Sequence, residues 1–180
     1  MSFSFSKAAK GLVAGGVAVM IAANSFAAND GVVGPTSEGD LTIDLTILDE
    51  VRISGLSDID LGSFAGADLS GSSTACVFRS GTGNYEITAV GDGNGDSFEL
   101  SDGSNDVVYT VTYDDGTGAV GMTSGDVLAG RTGGDPASDT CQTFAQPNNG
   151  TIEVTVAAAD MAALPAGDYT GVLTLTVAPE

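Results

Sequence analysis

Histidine is absent from this chain, and lysine occurs only at Lys7 and Lys10. Without histidine there is no Ser-His-Asp triad, no imidazole base and none of the usual His-containing zinc sites. Without lysine beyond residue 10, Schiff-base chemistry has no amine to use. Carboxylate pairs remain, Asp92 with Asp96 and Asp114 with Asp115, but they sit in Gly-rich turns with no apolar pocket in sequence to raise a pKa. The expectation is a protein that is not an enzyme and needs no cofactor. Basic residues of any kind are scarce. Past residue 10 only Arg52, Arg79 and Arg131 stand against 24 acidic residues. That balance excludes nucleic acid and anionic membrane surfaces as partners, because both require Lys and Arg to displace counterions. Long apolar runs are missing too. The longest, Gly11 to Ala23, is too short to cross a bilayer, so no membrane insertion is expected.

What is present begins with an export signal. Lys7 and Lys10 form a basic start, Gly11 to Ala23 an apolar stretch, and Ser25-Phe26-Ala27 a small-residue cleavage site. Residues 1–27 are therefore read as a signal peptide, leaving about 150 residues, enough for one domain with a real core. In an oxidising compartment the two cysteines, Cys76 and Cys141, are read as one disulfide. The alternative, a reactive thiol pair, lacks Cys-x-x-Cys spacing. The acidic excess keeps an exported chain soluble, with cation binding as the sharper alternative.

Gly, Asp, Ser and Thr are abundant, and apolar residues come in short alternating runs between turn signals. That pattern predicts an all-β sandwich or barrel of about eight strands. Leu41, Ile43, Leu45 and Ile47 alternate with Thr and Asp over Gly39 to Ile47. At the other end Leu173, Leu175 and Val177 alternate with Thr. A period of two puts each apolar set on one face of a strand. Between them the same pattern predicts strands at Val51 and Ile53, Ala75 to Phe78, Tyr85 to Val90, Val107 to Tyr113 and Ile152 to Val156. A short one is expected at Asp126 to Ala129, inside an otherwise loop-like 116–134. Ala157 to Leu164 is the one helix-like patch, ended by Pro165 and Gly167. Asp135 to Asn149 reads as an irregular connection pinned by Cys141.

Asp92, Asn94 and Asp96 place oxygen ligands at alternate positions, as a calcium loop begins. Ser97 stands where the sharp-turn glycine belongs, and Gly103 where a bidentate Glu would close the shell. A hairpin turn is the plainer account of this stretch and of Asp114-Asp115-Gly116.

Taken in order, these features resemble bacterial pilins of the chaperone–usher pathway, especially the archaic and alternative branches with spore coat protein U-like and CFA/I-like major subunits. The likeness rests on the signal, the Gly39 to Ile47 run, Asp60-Leu61-Gly62-Ser63-Phe64, Gly83-Asn84-Tyr85-Glu86-Ile87-Thr88 and the closing Pro165-Ala166-Gly167-Asp168-Tyr169-Thr170-Gly171. It departs at Asp49 and Glu50, where spore coat U-like subunits commonly carry a cysteine. The resemblance implies an incomplete immunoglobulin-like Greek-key sandwich over residues 49–180, preceded by an extension, residues 28–48, that carries a donor strand. It implies Leu41, Ile43, Leu45 and Ile47 as plugs for a neighbour's groove, and Leu173, Leu175 and Val177 as the edge of the receiving groove. Its implied partners are further copies of the chain in a head-to-tail filament, a periplasmic chaperone and an outer-membrane usher. Its implied location is a cell-surface fimbria reached through the periplasm, with a shaft or minor subunit expected over a two-domain tip. The competing reading from the residues is a self-contained secreted β-sandwich that pairs Leu41 to Ile47 in its own sheet and binds a ligand or Ca2+.

Overall fold

A computed structural model describes residues 28–137, 141 and 148–180; the signal peptide read over residues 1–27 lies outside the described residues. The chain separates into two compact units, residues 1–46 and 47–180. Among the described residues no helix is long and apolar enough to cross a membrane.

The larger unit is an immunoglobulin-like β-sandwich. Among the described residues its strands are β1 (Val51–Ser54), β2 (Leu69–Arg79), β3 (Tyr85–Gly91), β4 (Glu99–Ser101), β5 (Asp106–Val108), β6 (Thr110–Asp114), β7 (Val120–Met122), β8 (Val127–Arg131), β9 (Gly150–Val156) and β10 (Leu173–Pro179). One turn of helix, α1 (Ala158–Met161), precedes β10, within the helix-like patch. The first sheet runs β1-β2-β9-β6-β7 and the second β10-β3-β8, while β4 and β5 form a separate pair. Every ladder is antiparallel.

Period two builds the core. Tyr85, Ile87 and Ala89 of β3 are all fully buried, and so are Val77, Val111, Tyr113, Ile152 and Val156 from the facing sheet. Tyr85 of the second sheet and Tyr113 of the first share a buried hydroxyl–hydroxyl hydrogen bond of 2.7 Å, which gives each phenol the partner its burial demands. Burial pushes both phenols above the usual tyrosine range, so they stay protonated.

Several sequence expectations need correction. The Gly39 to Ile47 run carries no strand: residues 41–50 are irregular, and Leu41, Ile43, Leu45 and Ile47 are 69%, 85%, 83% and 82% exposed. Alternation selects a face, but a strand needs a ladder partner. β2 is eleven residues long and reaches back to Leu69 through Ser70-Gly71-Ser72-Ser73-Thr74, a segment with no apolar period. Pairing with β9, from Leu69 opposite Val156 to Ala75 opposite Gly150, supplies what propensity does not. Gly71 is fitted to that place, since a Cβ there would lie 3.2 Å from Leu61 Cδ2 and closer still to Ile59.

The run Val107 to Tyr113 is two strands. β5 pairs with β4 and β6 with β9 and β7, the ladder changing over at Tyr109, whose amide donates to Phe98 O at 2.9 Å and whose ring stacks on Phe98. Val107, Tyr109, Val111 and Tyr113 nevertheless all face inward. β7 was hidden inside the expected loop, because Val120-Gly121-Met122 is too short to show a period. Asp114-Asp115-Gly116 does form the hairpin turn between β6 and β7. The turn at 92–96, by contrast, joins strands of different sheets and closes no hairpin.

Candidate functional site

Both main sheets end on one flank of the sandwich. Among the described residues β1 pairs only with β2 and β10 only with β3, and the two terminal strands pack beside each other. Each therefore has one edge that no other strand covers among the described residues, and a strand edge is a template for another strand. Val51 and Ile53 of β1, with Leu173, Leu175 and Val177 of β10, point at the core and are only partly covered. Thr174 and Thr176 face water.

The flank continues past β1 along residues 57–64, held to β2 by Ser57 N donating to Ser73 Oγ at 2.9 Å. Opposite lies the approach to β10. Between them opens a cleft of about 820 Å³, lined by Ile59, Leu61, Leu100, Val156, Leu164 and Tyr169 among others. The Asp60 to Phe64 stretch thus forms one wall of the flank, which its sequence alone did not reveal.

At the other end of the flank a buried guanidinium gathers three chain segments. Arg79, the last residue of β2, donates Nε to Asp49 Oδ1 at 3.2 Å and Nη2 to Asp49 Oδ2. Nη2 also donates to Glu180 O at 3.1 Å. Glu50 joins the neighbouring Ser80 twice: Glu50 N donates to Ser80 Oγ at 2.6 Å, and Ser80 N donates to Glu50 O at 2.8 Å. The start of β1 and the end of β10 are in this way fixed to the end of β2. Sequence reasoning missed this latch; its one signal is a basic residue closing an apolar strand in a chain with almost none.

The carboxylates near these arginines stay ionised well into acid. The hydrogen bond from Arg79 holds Asp49 below its ordinary range. Burial tends to raise Asp115, but the Thr117 hydroxyl, the Arg131 guanidinium and the Gly133 and Thr117 amides outweigh it and hold it low. A carboxyl depressed in the fold adds stability that is present above its unfolded value near pH 4 and lost as pH falls through its folded value. The melting temperature is therefore expected to hold above about pH 4 and to drop below it. Asp115→Asn should flatten that acid limb in a pH series of thermal melts.

The oxygen-rich turn is used by the fold. Asp92 Oδ1 accepts the Val172 amide at 2.8 Å, placing the chain at the threshold of β10. Asn94 O accepts from Ser97 Oγ at 2.9 Å, and Asp96 O accepts from Ser124 Oγ. Among the described residues no three carboxylates converge to hold a metal ion.

The Cys76–Cys141 disulfide forms, with a Cα–Cα separation of 5.6 Å and both residues buried. Cys76 lies on β2 opposite Ser54 of β1, so the staple sits directly behind the flank. Asn149, at the end of the expected irregular connection, is buried and pairs like a piece of backbone. Its Oδ1 accepts from Val77 N, and its Nδ2 donates to Val77 O and Gly133 O, each at 2.7 Å.

No protein-family model and no curated protein sequence matches the chain. Solved structures do. One is a chain of the chaperone–tip adhesin complex described as vital for synergistic activation of CFA/I fimbriae biogenesis, 17% identical with a TM-score of 0.50. The match covers 73% of this chain and 41% of that one. Another is a mutant of the CFA/I adhesin CfaE of enterotoxigenic E. coli, 17% identical with a TM-score of 0.48, covering 72% and 43%. The chain thus spans about two fifths of the length of the structures it matches. At this identity the likeness is one of fold: an immunoglobulin-like β-sandwich shared with a chain of a fimbrial complex.

Proposed function

We propose that this protein is a non-enzymatic structural subunit of a surface fimbria, polymerised head-to-tail by donor-strand exchange. The observation that carries the reading is a complementary pair of features on one chain. Among the described residues Leu41, Ile43, Leu45 and Ile47 form an exposed alternating apolar run with no ladder of its own, and β1 and β10 border a flank with no further strand. One copy's run supplies to another what the flank is missing. Ladder hydrogen bonds to the free edge give general affinity, and the alternate side chains fill the space over Val51, Ile53, Leu173, Leu175 and Val177. Such a contact joins two different surfaces and does not close on itself, so it extends into a filament.

The fold likeness to a chain of a CFA/I chaperone–tip adhesin complex supports this role. By the same reasoning, a periplasmic chaperone covers the flank until assembly, since an open edge beside apolar side chains invites aggregation. An outer-membrane usher then exchanges that cover for the next subunit, and the finished fimbria serves adhesion or biofilm formation.

The test is removal of residues 28–48. The truncated protein is expected to keep the melting temperature and circular dichroism of the intact monomer while forming no filaments by electron microscopy. Collapse of the monomer fold on truncation would instead mean that the run belongs to its own domain.

A further inference from the structure

Alternation alone leaves the proposed contact undetermined along its length. Residues 41–48 read Leu-Thr-Ile-Asp followed by Leu-Thr-Ile-Leu, so a slip of four residues, about 13 Å, presents the same Leu-Thr-Ile face again. β10 is equally repetitive, with Leu173, Leu175 and Val177 alternating with Thr174 and Thr176. Two ladders with matching period-two faces can pair in several registers of similar energy. Something outside the alternating run has to choose one.

The segment immediately before the run is a closed loop. Asn29 N donates to Asp40 O and Asp40 N donates to Asn29 O, both at 3.0 Å, forming an antiparallel bridge. Glycine is needed where the loop's two arms touch. A Cβ on Gly39 would lie 2.9 Å from Asn29 O, and one on Gly31 would lie 2.9 Å from Glu38 O and collide with Ser37 Oγ. Asp40 thus has both main-chain groups committed and the loop's other arm flush beside it, whereas from Leu41 onward the backbone runs singly and irregularly. Adjacent strands need about 4.8 Å of width each, so a place for one strand rejects the doubled chain.

We propose that the closed loop 29–40 is a register stop. It lets residues 41–48 enter a second copy's flank and halts the strand at Asp40, selecting one of the otherwise equivalent four-residue registers. This rests on the donor-strand reading above. A slip toward the N-terminus would drag the bridge into the flank. A slip the other way is limited by the chain's own latch at Asp49 and Glu50, which Arg79 and Ser80 hold to β2. The insertable length is then fixed at both ends, by two features that the apolar pattern does not contain.

The experiment reads register directly in filaments of the full-length exported protein. Asp44→Cys is combined in turn with Val172→Cys, Thr174→Cys, Thr176→Cys or Ala178→Cys, and intersubunit disulfides are mapped by mass spectrometry after mild oxidation. With the loop intact, a single position on β10 is expected to dominate. Gly39→Val, which opens the loop, should bring up a second cross-link four residues away until the two approach about one to one. Removal of residues 29–38 should do the same, and stands in if Gly39→Val perturbs secretion. One unchanged dominant cross-link in both variants overturns the register stop. Failure of Asp44→Cys to cross-link to any β10 position, with filaments still present, overturns instead the donor-strand reading on which it rests.

Discussion

Ile43→Asp is expected to abolish filament formation while leaving the monomer's stability within about 0.5 kcal/mol of the parent. The two halves of that result have different origins. In the free chain the Ile43 side chain is 85% exposed, so a carboxylate there loses no packing and meets no apolar surface. In the proposed filament the same side chain enters the space above the β1 and β10 apolar residues. An unpaired carboxylate buried there costs several kcal/mol, enough to weaken association by about a thousandfold or more. Thr42→Asp is the control, because residue 42 falls on the wet face and its charge stays in water. Sedimentation of assembled material and thermal melts of the monomer together check the prediction. Equal assembly by Ile43→Asp and the parent would remove the run from the interface.

Loss of the Cys76–Cys141 disulfide is expected to cost about 4 kcal/mol, because the bond closes a loop of more than sixty residues in the unfolded chain. In a unit of this size that corresponds to a melting temperature lower by roughly 10–15 °C. Reduction of the native protein, or the pair Cys76→Ala and Cys141→Ala, should give the same shift by calorimetry. Cys76 lies on β2 next to β1, and the staple fixes the strand on which one border of the flank depends. The reduced protein should therefore lose assembly at temperatures where the oxidised one retains it. A shift under about 1 kcal/mol would contradict the loop-closure account.

Much of the core was legible in the residues. Tyr85, Ile87 and Ala89, or Ile152, Val154 and Val156, need only the period of two to be placed facing inward, and they are buried. The disulfide was expected from two cysteines read beside an export signal, and it forms. The limits are as particular. Leu69 to Thr74 is strand because β9 lies beside it, and Val120 to Met122 because β6 does. Neither sequence carries a pattern of its own. At the site, the alternating faces of 41–47 and 173–177 were legible. The latch of Arg79 on Asp49 and Glu180 was not, because it joins residues 30 and 101 positions apart. Nor was the use of Asp92 to place Val172, which spans 80 positions.

The sequence by itself determined the inward faces of β3, β6 and β9, the all-β class, the absence of histidine and the alternating character of both ends. These follow from side-chain chemistry and from the two-residue repeat of an extended chain, which are local properties. The tertiary structure alone decided which strands end a sheet. Edge status is a property of what lies beside a strand, and no strand carries that in its own residues. The same Leu-Thr alternation is an exposed, unpaired run at Leu41 to Ile47 and an edge strand over the core at Leu173 to Val177. The difference between them lies in whether a ladder partner is present.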